Sequence, residues 1–270
     1  MKHTVRVAGL PGWVDATRLL GEGAWTFEEA DGLRTATARL DRDAAADVGA
    51  RLRGVGLGGR LLDVSIVPPL QRRHVRAART RDARARRDTT PGFTRRGGRL
   101  DEEGRWSLTP EALALAIGRR VAGASVVDAG CGAGGNTIGF ARARCRVTAI
   151  ERDAGRLANA RHNAGIYGVA DSITFVHGDA VAEARTRTAD VLFCDPPWGA
   201  WDKARTTVDD LPLLAALLEI TQTGGYGRLL AKVPPSFDPT TVPAATAEAL
   251  FGEAPGDRHR IKCVLIGVRK

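Results

Sequence analysis

Lysine is scarce in this chain: of its 40 basic residues only five are lysine, and the rest are arginine. Sulfur and rings are also thin, with one methionine, four cysteines and 5% aromatic residues. Cys131, Cys145, Cys194 and Cys263 lie far apart and form no CxxC pair. That argues against a disulfide framework and against a zinc site, and a reducing compartment is the simplest setting. The five histidines are scattered, so no metal is expected. No apolar run approaches the ~18 residues of a membrane span, and no apolar leader follows Met1. The expectation is a soluble, cytoplasmic chain with no membrane partner. Nothing in the pattern bears on oligomeric state.

What is present is enough chain for one large and one small domain: 270 residues, 43% of them hydrophobic. The net charge of +9 is concentrated in one place. Between Gln71 and Arg99 stand eleven arginines against Asp82 and Asp88, a local +9 that equals the excess of the whole chain. Such a stripe is the electrostatic footprint of a polyanion binder. Arg72, Arg73, Arg76, Arg79, Arg84, Arg86, Arg87, Arg95 and Arg96 are the candidate nucleic-acid contacts. A solvated arginine-rich linker is the alternative.

Three blocks follow. Residues 1–69 alternate as βαββαβ, the ferredoxin-like order. The strands are expected at Thr4–Val7, Trp25–Glu28, Leu33–Leu40 and Leu61–Val67, and the helices at Val14–Leu20 and Asp43–Arg53. The order resembles an RNA-recognition motif, but Arg6 stands where that family stacks a base, and Leu33–Leu40 has no ring. Trp25 and Phe27 share a face of the second strand and either stack bases or fill the core. Residues 70–99 form the arginine-rich connector, helix-permissive over Gln71–Arg87 and loop-like from Thr89. Residues 100–270 alternate strands and helices, which predicts a doubly wound, mostly parallel sheet. Its first helix is expected to be capped by Thr109, with Pro110 at N1 and Glu111 complementing the dipole.

The chemistry lies in this last block. Asp128-Ala129-Gly130-Cys131-Gly132-Ala133-Gly134-Gly135-Asn136 follows a β-branched strand and opens a helix, where glycines let backbone approach a ligand. Glu151 ends the next strand, placed to accept from ribose hydroxyls. Gly130, Gly132 and Gly135 also fit a dinucleotide fingerprint. However, Asp128 suits an ammonium better than a pyrophosphate, and Asp179 after the third strand can accept from an adenine amine. Asp195-Pro196-Pro197-Trp198-Gly199 then follows the apolar strand Val191–Cys194. Prolines remove donors there, so the Asp195 carboxylate and nearby carbonyls can accept from an exocyclic amine, with Trp198 as a flat face for the base.

With these motifs in place, residues 101–270 resemble the RNA cap guanine-N2 methyltransferase family, that of trimethylguanosine synthase. The resemblance is carried by Trp106-Ser107-Leu108-Thr109-Pro110-Glu111, by Val126 through Thr137, by Ala149-Ile150-Glu151-Arg152-Asp153 and by Asn159 through Gly168. It implies a class I, Rossmann-like, seven-stranded S-adenosyl-L-methionine-dependent fold behind the small ferredoxin-like domain. It also implies a cofactor site built from Trp106, Thr109, Asp128, Ala129, Gly130, Gly132, Asn136, Thr137, Glu151, Arg152, Asp179 and Ala180. Asp195, Pro196, Pro197 and Trp198 would be the catalytic group, with Trp198 stacking on guanine. The family usually has Ser where this chain has Asp195, and Gly-Gly-Pro where it has Gly199-Ala200-Trp201.

The expected activity is therefore methyl transfer to guanine N2 in RNA. Adenine-N6 transfer on RNA or DNA, glutamine-amide transfer and small-molecule transfer remain as alternatives. Among minor candidates, His177 is expected to end a strand and Tyr167 to pack, while Lys203 and Arg205 are either phosphate contacts or surface charge.

Overall fold

In a computed structural model of the chain, residues 1–199 and 203–270 are described. The first sheet comprises β1 (His3–Pro11), β2 (Thr26–Ala30), β3 (Leu33–Leu40) and, later, β6 (Asp63–Val67), in spatial order β2-β3-β1-β6. Two helices, α1 (Ala16–Leu20) and α2 (Arg42–Leu52), cover one face. The period-two pattern of β1 explains the side they choose: Val5 and Val7 are fully buried, while Arg6 points out and meets Asp63 at 3.3 Å. Asp15 and Asp41 cap the two helices, each accepting from backbone amides of the first turn. Asp31 and Gly32 both adopt positive φ, the two-residue hairpin turn that sets the β2–β3 register. The alternation is thus the expected βαββαβ.

Trp25 takes the core role, one of the two expected of it, but not its expected place on the second strand. It lies just ahead of β2, packs on the small core and donates Nε1–H to the Gly21 carbonyl at 3.2 Å. Phe27 on β2 is 42% exposed.

Between α2 and β6 a small hairpin, β4 (Gly56–Leu57) and β5 (Arg60–Leu61), leans on the second half of the chain. Its turn amides, Gly58 and Gly59, donate to the carbonyls of Pro235 and Ser236 at 3.0 and 3.2 Å. A Cβ on Gly59 would sit 2.6 Å from that of Asp238, so this contact needs glycine. Phe251 joins the small core, and Arg18 donates to the carbonyls of Gly252 and Arg258. The two halves are packed together.

The connector is not a free linker. Helix α3 (Arg72–Ala85) buries Ala78, and Arg81 pairs with Asp47 of α2 at 2.6 Å while Asp82 pairs with Arg260. Thr90, Thr94 and Arg99 are among the residues that fasten the irregular stretch after it. Thr90 donates through its amide and hydroxyl to the buried carboxylate of Asp257, at 2.9 and 2.8 Å. The Thr94 amide and hydroxyl reach Glu111. Arg99 exchanges backbone bonds with the Asn163 amide group.

The second sheet runs β7 (Ser125–Ala129), β8 (Arg146–Glu151), β9 (Ile173–His177), β10 (Thr188–Cys194), β11 (Gly225–Val233), β12 (Thr246–Phe251) and β13 (Ile261–Arg269). The spatial order is β12-β13-β11-β10-β7-β8-β9, parallel from β11 to β9 and antiparallel at β13. Helices α5 (Glu111–Arg119), α6 (Gly135–Arg142) and α7 (Ala154–Ile166) bury one face, while α8 (Ala180–Arg185) and α9 (Pro212–Thr223) bury the other. A short α4 (Gly104–Ser107) precedes α5. No helix among the described residues is long and apolar enough to cross a membrane. Pro110 occupies the N-cap of α5 in place of the expected Thr109, because the Thr109 hydroxyl is drawn into the cleft described next.

Candidate active site

The carboxyl ends of β7, β8, β10 and β11 open into a cavity of about 570 Å³, the place where open α/β sheets bind ligands. One wall is the glycine loop between β7 and α6. Gly132 takes φ +54°, and a Cβ placed there would meet nothing within 4 Å, so the backbone is a bare cradle. Its amide donates to Glu151 Oε2 at 2.9 Å, while Glu151 Oε1 accepts from the Asp153 amide at 3.0 Å. The parallel pairing of β7 with β8 brings these ends together, with Ala129 opposite Ile150. Trp106, Thr109, Gly130, Asn136, Arg152, Asp179 and Ala180 complete that wall. Trp106 stands at the rim, 78% exposed. Asp179 uses Oδ1 to cap α8.

Asp128, Ala129 and Thr137 stand behind the lining. Asp128 is 1% exposed, and Thr137, wholly buried, donates its hydroxyl to it at 2.5 Å. Burial, reinforced by the charges of Asp195 and Glu151, lifts the Asp128 carboxyl to about 7, against the Thr137 bond.

The opposite wall is Asp195, Pro196, Pro197, Trp198 and Gly199, at the end of β10. Asp195 Oδ2 accepts from Thr109 Oγ1 at 3.3 Å, Asn136 Nδ2 at 3.2 Å and Lys232 Nζ at 2.5 Å. Asn136 turns its amide nitrogen to that carboxylate, which leaves its buried Oδ1 without a partner among the described residues. An orphaned acceptor over a bare glycine cradle fits a ligand carrying hydrogen-bond donors, as S-adenosyl-L-methionine does. Trp198 donates Nε1–H to the Lys232 carbonyl at 3.3 Å.

Lys232 escaped the sequence argument: it lies on β11, one residue before the strand ends, 37 residues past Asp195, and no motif marks it. Arg156 was also missed. It lines the cavity from α7 and pairs with Asp101 at 2.7 Å and with Glu103, which, with Asp101, raises its affinity for the proton and holds α4 in place. Other candidates sit elsewhere. His177 ends β9, with its ring on the Arg152 carbonyl. Lys203 and Arg205 pair with Asp210 and Asp238, at 2.8 and 2.7 Å. Tyr167 is buried, and Trp201 lies outside the described residues. Among the described residues no group of His, Cys, Asp or Glu could hold a metal ion.

Comparison with known proteins bears on this arrangement. The family model described as RNA cap guanine-N2 methyltransferase matches residues 123–222, which carry the glycine loop, Glu151 and the Asp-Pro-Pro-Trp turn. The C-terminal domain is similar to that family. A curated relative, trimethylguanosine synthase of Schizosaccharomyces pombe, is 37% identical over 122 residues, covering 42% of this chain and 51% of the relative. The chain thus spans about half the length of that relative. Among solved structures, a protein of Porphyromonas gingivalis W83 described as a methyltransferase superposes with a TM-score of 0.50 at 19% identity, over 83% of this chain and 57% of that one. The seven-stranded domain has the class I S-adenosyl-L-methionine-dependent methyltransferase fold. The nine arginines proposed for nucleic acid lie outside the cavity lining, on the connector. All nine are exposed; Arg86 pairs with Asp82, and Arg95 covers the Tyr167 ring and donates to the Ile166 carbonyl.

Proposed function

We propose that the chain transfers a methyl group from S-adenosyl-L-methionine to the exocyclic N2 amine of guanine in RNA. The observation that carries the proposal is the Asp195–Trp198 turn on the same cavity as the glycine loop and Glu151, within the segment that matches the guanine-N2 family. The cofactor, when bound, supplies an electrophilic methyl on a sulfonium.

The chain's residues do the rest. Glu151 and Asp179 accept from the ribose and adenine, and Asp128 balances the ammonium of the methionine group. Trp198 stacks on the base. The nitrogen of an aryl amine shares its lone pair with the ring; acceptance of its protons by Asp195 favours the pyramidal nitrogen and frees that pair. Asp195 then takes the proton that the methylated amine releases. A carboxylate oxygen at that edge can accept from both guanine N2–H and N1–H, whereas adenine N1 sets a lone pair against it. Positioning supplies most of the acceleration. The arginines of residues 70–99 hold the RNA backbone, and a paired base has to be flipped out to reach Trp198.

The test is transfer of labelled methyl from the cofactor to total cellular RNA, followed by digestion to nucleosides. Labelled N2-methylguanosine is expected. Label in N6-methyladenosine would reassign the base, and label in protein or none in RNA would refute the proposal.

A further inference from the structure

The side chain of Lys232 is 8% exposed, and its ammonium reaches Asp195 and Trp198 of the substrate wall and Thr109 of the wall opposite. Its ammonium donates to Asp195 Oδ2 at 2.5 Å and to Thr109 Oγ1 at 2.9 Å, and lies 4.9 Å from the centroid of the Trp198 ring. Its carbonyl accepts the Trp198 indole N–H. One residue therefore holds both functional side chains of the Asp-Pro-Pro-Trp turn. The parallel pairing of β10 with β11 explains why: Cys194 lies opposite Ala231, so Asp195, just past the end of β10, comes beside Lys232, the next residue of β11.

Removing an ammonium from water is costly unless it is paired and hydrogen-bonded, and here it is both. The effect on Asp195 is directional. Oδ2 accepts from Lys232, Asn136 and Thr109, more donors than one carboxylate oxygen has lone pairs for. Among the described residues, the hydrogen bonds to this carboxylate fall on Oδ2, so Oδ1 is the oxygen left for a ligand. Charge points the same way. Asp195 shares this end of the sheet with the carboxylates of Glu151, Asp179 and Asp128, and Lys232 brings an ammonium among them.

We propose that Lys232 is a positioning residue for methyl transfer, locking Asp195 through Oδ2 and Trp198 through its ring face and indole N–H, so that Oδ1 meets the amine of the base. The inference rests on the proposed function for its kinetic readout. It makes Asp195 and Lys232 a matched pair that is lost or exchanged together.

The experiment is a double-substitution cycle of Asp195→Ser and Lys232→Met, with Lys232→Arg beside it, in the full-length chain. Lys232→Met alone is expected to lower kcat on the order of 100-fold, the usual cost of a displaced reacting group. The KM for RNA and the Kd for S-adenosyl-L-methionine should stay within about 3-fold, and Lys232→Arg should recover most of the rate. In the Asp195→Ser background, losing the lysine should change kcat less than about 3-fold. An equal cost in both backgrounds, or a cofactor Kd that weakens in step with kcat, overturns the proposal. The same cycle by urea unfolding without substrate keeps the outcomes apart. If the wild-type chain methylates no RNA, the proposed function fails; if the two substitutions are additive in urea, the pairing fails.

Discussion

Replacing Glu111 with Gln tests how the connector is fastened to the methyltransferase domain. Glu111 opens α5, two residues after Thr109, and its carboxylate is a hub. Thr94 donates through its hydroxyl at 2.6 Å and its amide at 2.9 Å, Tyr167 through its hydroxyl at 2.5 Å, and Arg142 through its guanidinium at 2.5 Å. Burial alone would raise this carboxyl. The bonds from Thr94, Tyr167 and Arg142 outweigh it and bring the group down from 4.5 to about 2. Because the folded value lies below the unfolded one, the stabilisation is present above about 4.5 and is lost as pH falls toward 2. At 1.36 kcal/mol per pH unit the shift corresponds to about 3 kcal/mol. The side chain is only 15% exposed, so solvent screening removes little of it. Urea unfolding of both proteins at pH 7 and at steps down to pH 2 is the assay. Glu111→Gln should be less stable by up to about 3 kcal/mol at neutral pH, with the gap closing below pH 4.5. A gap that does not change with pH, or one under about 0.5 kcal/mol at pH 7, refutes the reasoning.

Two further outcomes follow from the charges. Reversing Arg76 and Arg79 to Glu should weaken RNA binding and flatten its log–log salt dependence by about 0.7 per lost contact on single strands, with cofactor affinity unchanged; an unaltered slope measured by anisotropy at several salt concentrations would remove the connector from the RNA interface. Asp128, lifted to about 7 by burial and by its acidic neighbours, should bind a cationic cofactor more tightly as pH rises through 7, because the ionised form is the one that pairs. Calorimetry from pH 6 to 8 in buffers of different ionisation enthalpy should register proton release on binding, and a flat pH profile would deny Asp128 that part.

The strands and helices were legible because their causes are local. Alternating burial in β1, β-branched residues in β7, and glycines ahead of α6 act within a few residues of themselves. The misplacements were of another kind. Thr109 has the chemistry of a cap, but at that point two partners from distant strands, Lys232 and Asp195, compete for its hydroxyl and win. Trp25 has the pattern of a strand residue, yet the small core and the Gly21 carbonyl hold it outside β2. The connector has the composition of a linker, yet Ala78, Arg81 and Asp82 fix it to α2 and to the β12–β13 turn.

The glycine loop, the turn that carries Asp195 and Trp198, and the segment that holds the surplus charge are readable from the residues alone, since each is a contiguous run whose chemistry does not depend on distant partners. Which other residues gather around them depends on the fold. Asp195 and Lys232 stand 37 positions apart, and they meet because the pairing of β10 with β11 sets Cys194 opposite Ala231, a relation of register that no local pattern of residues encodes.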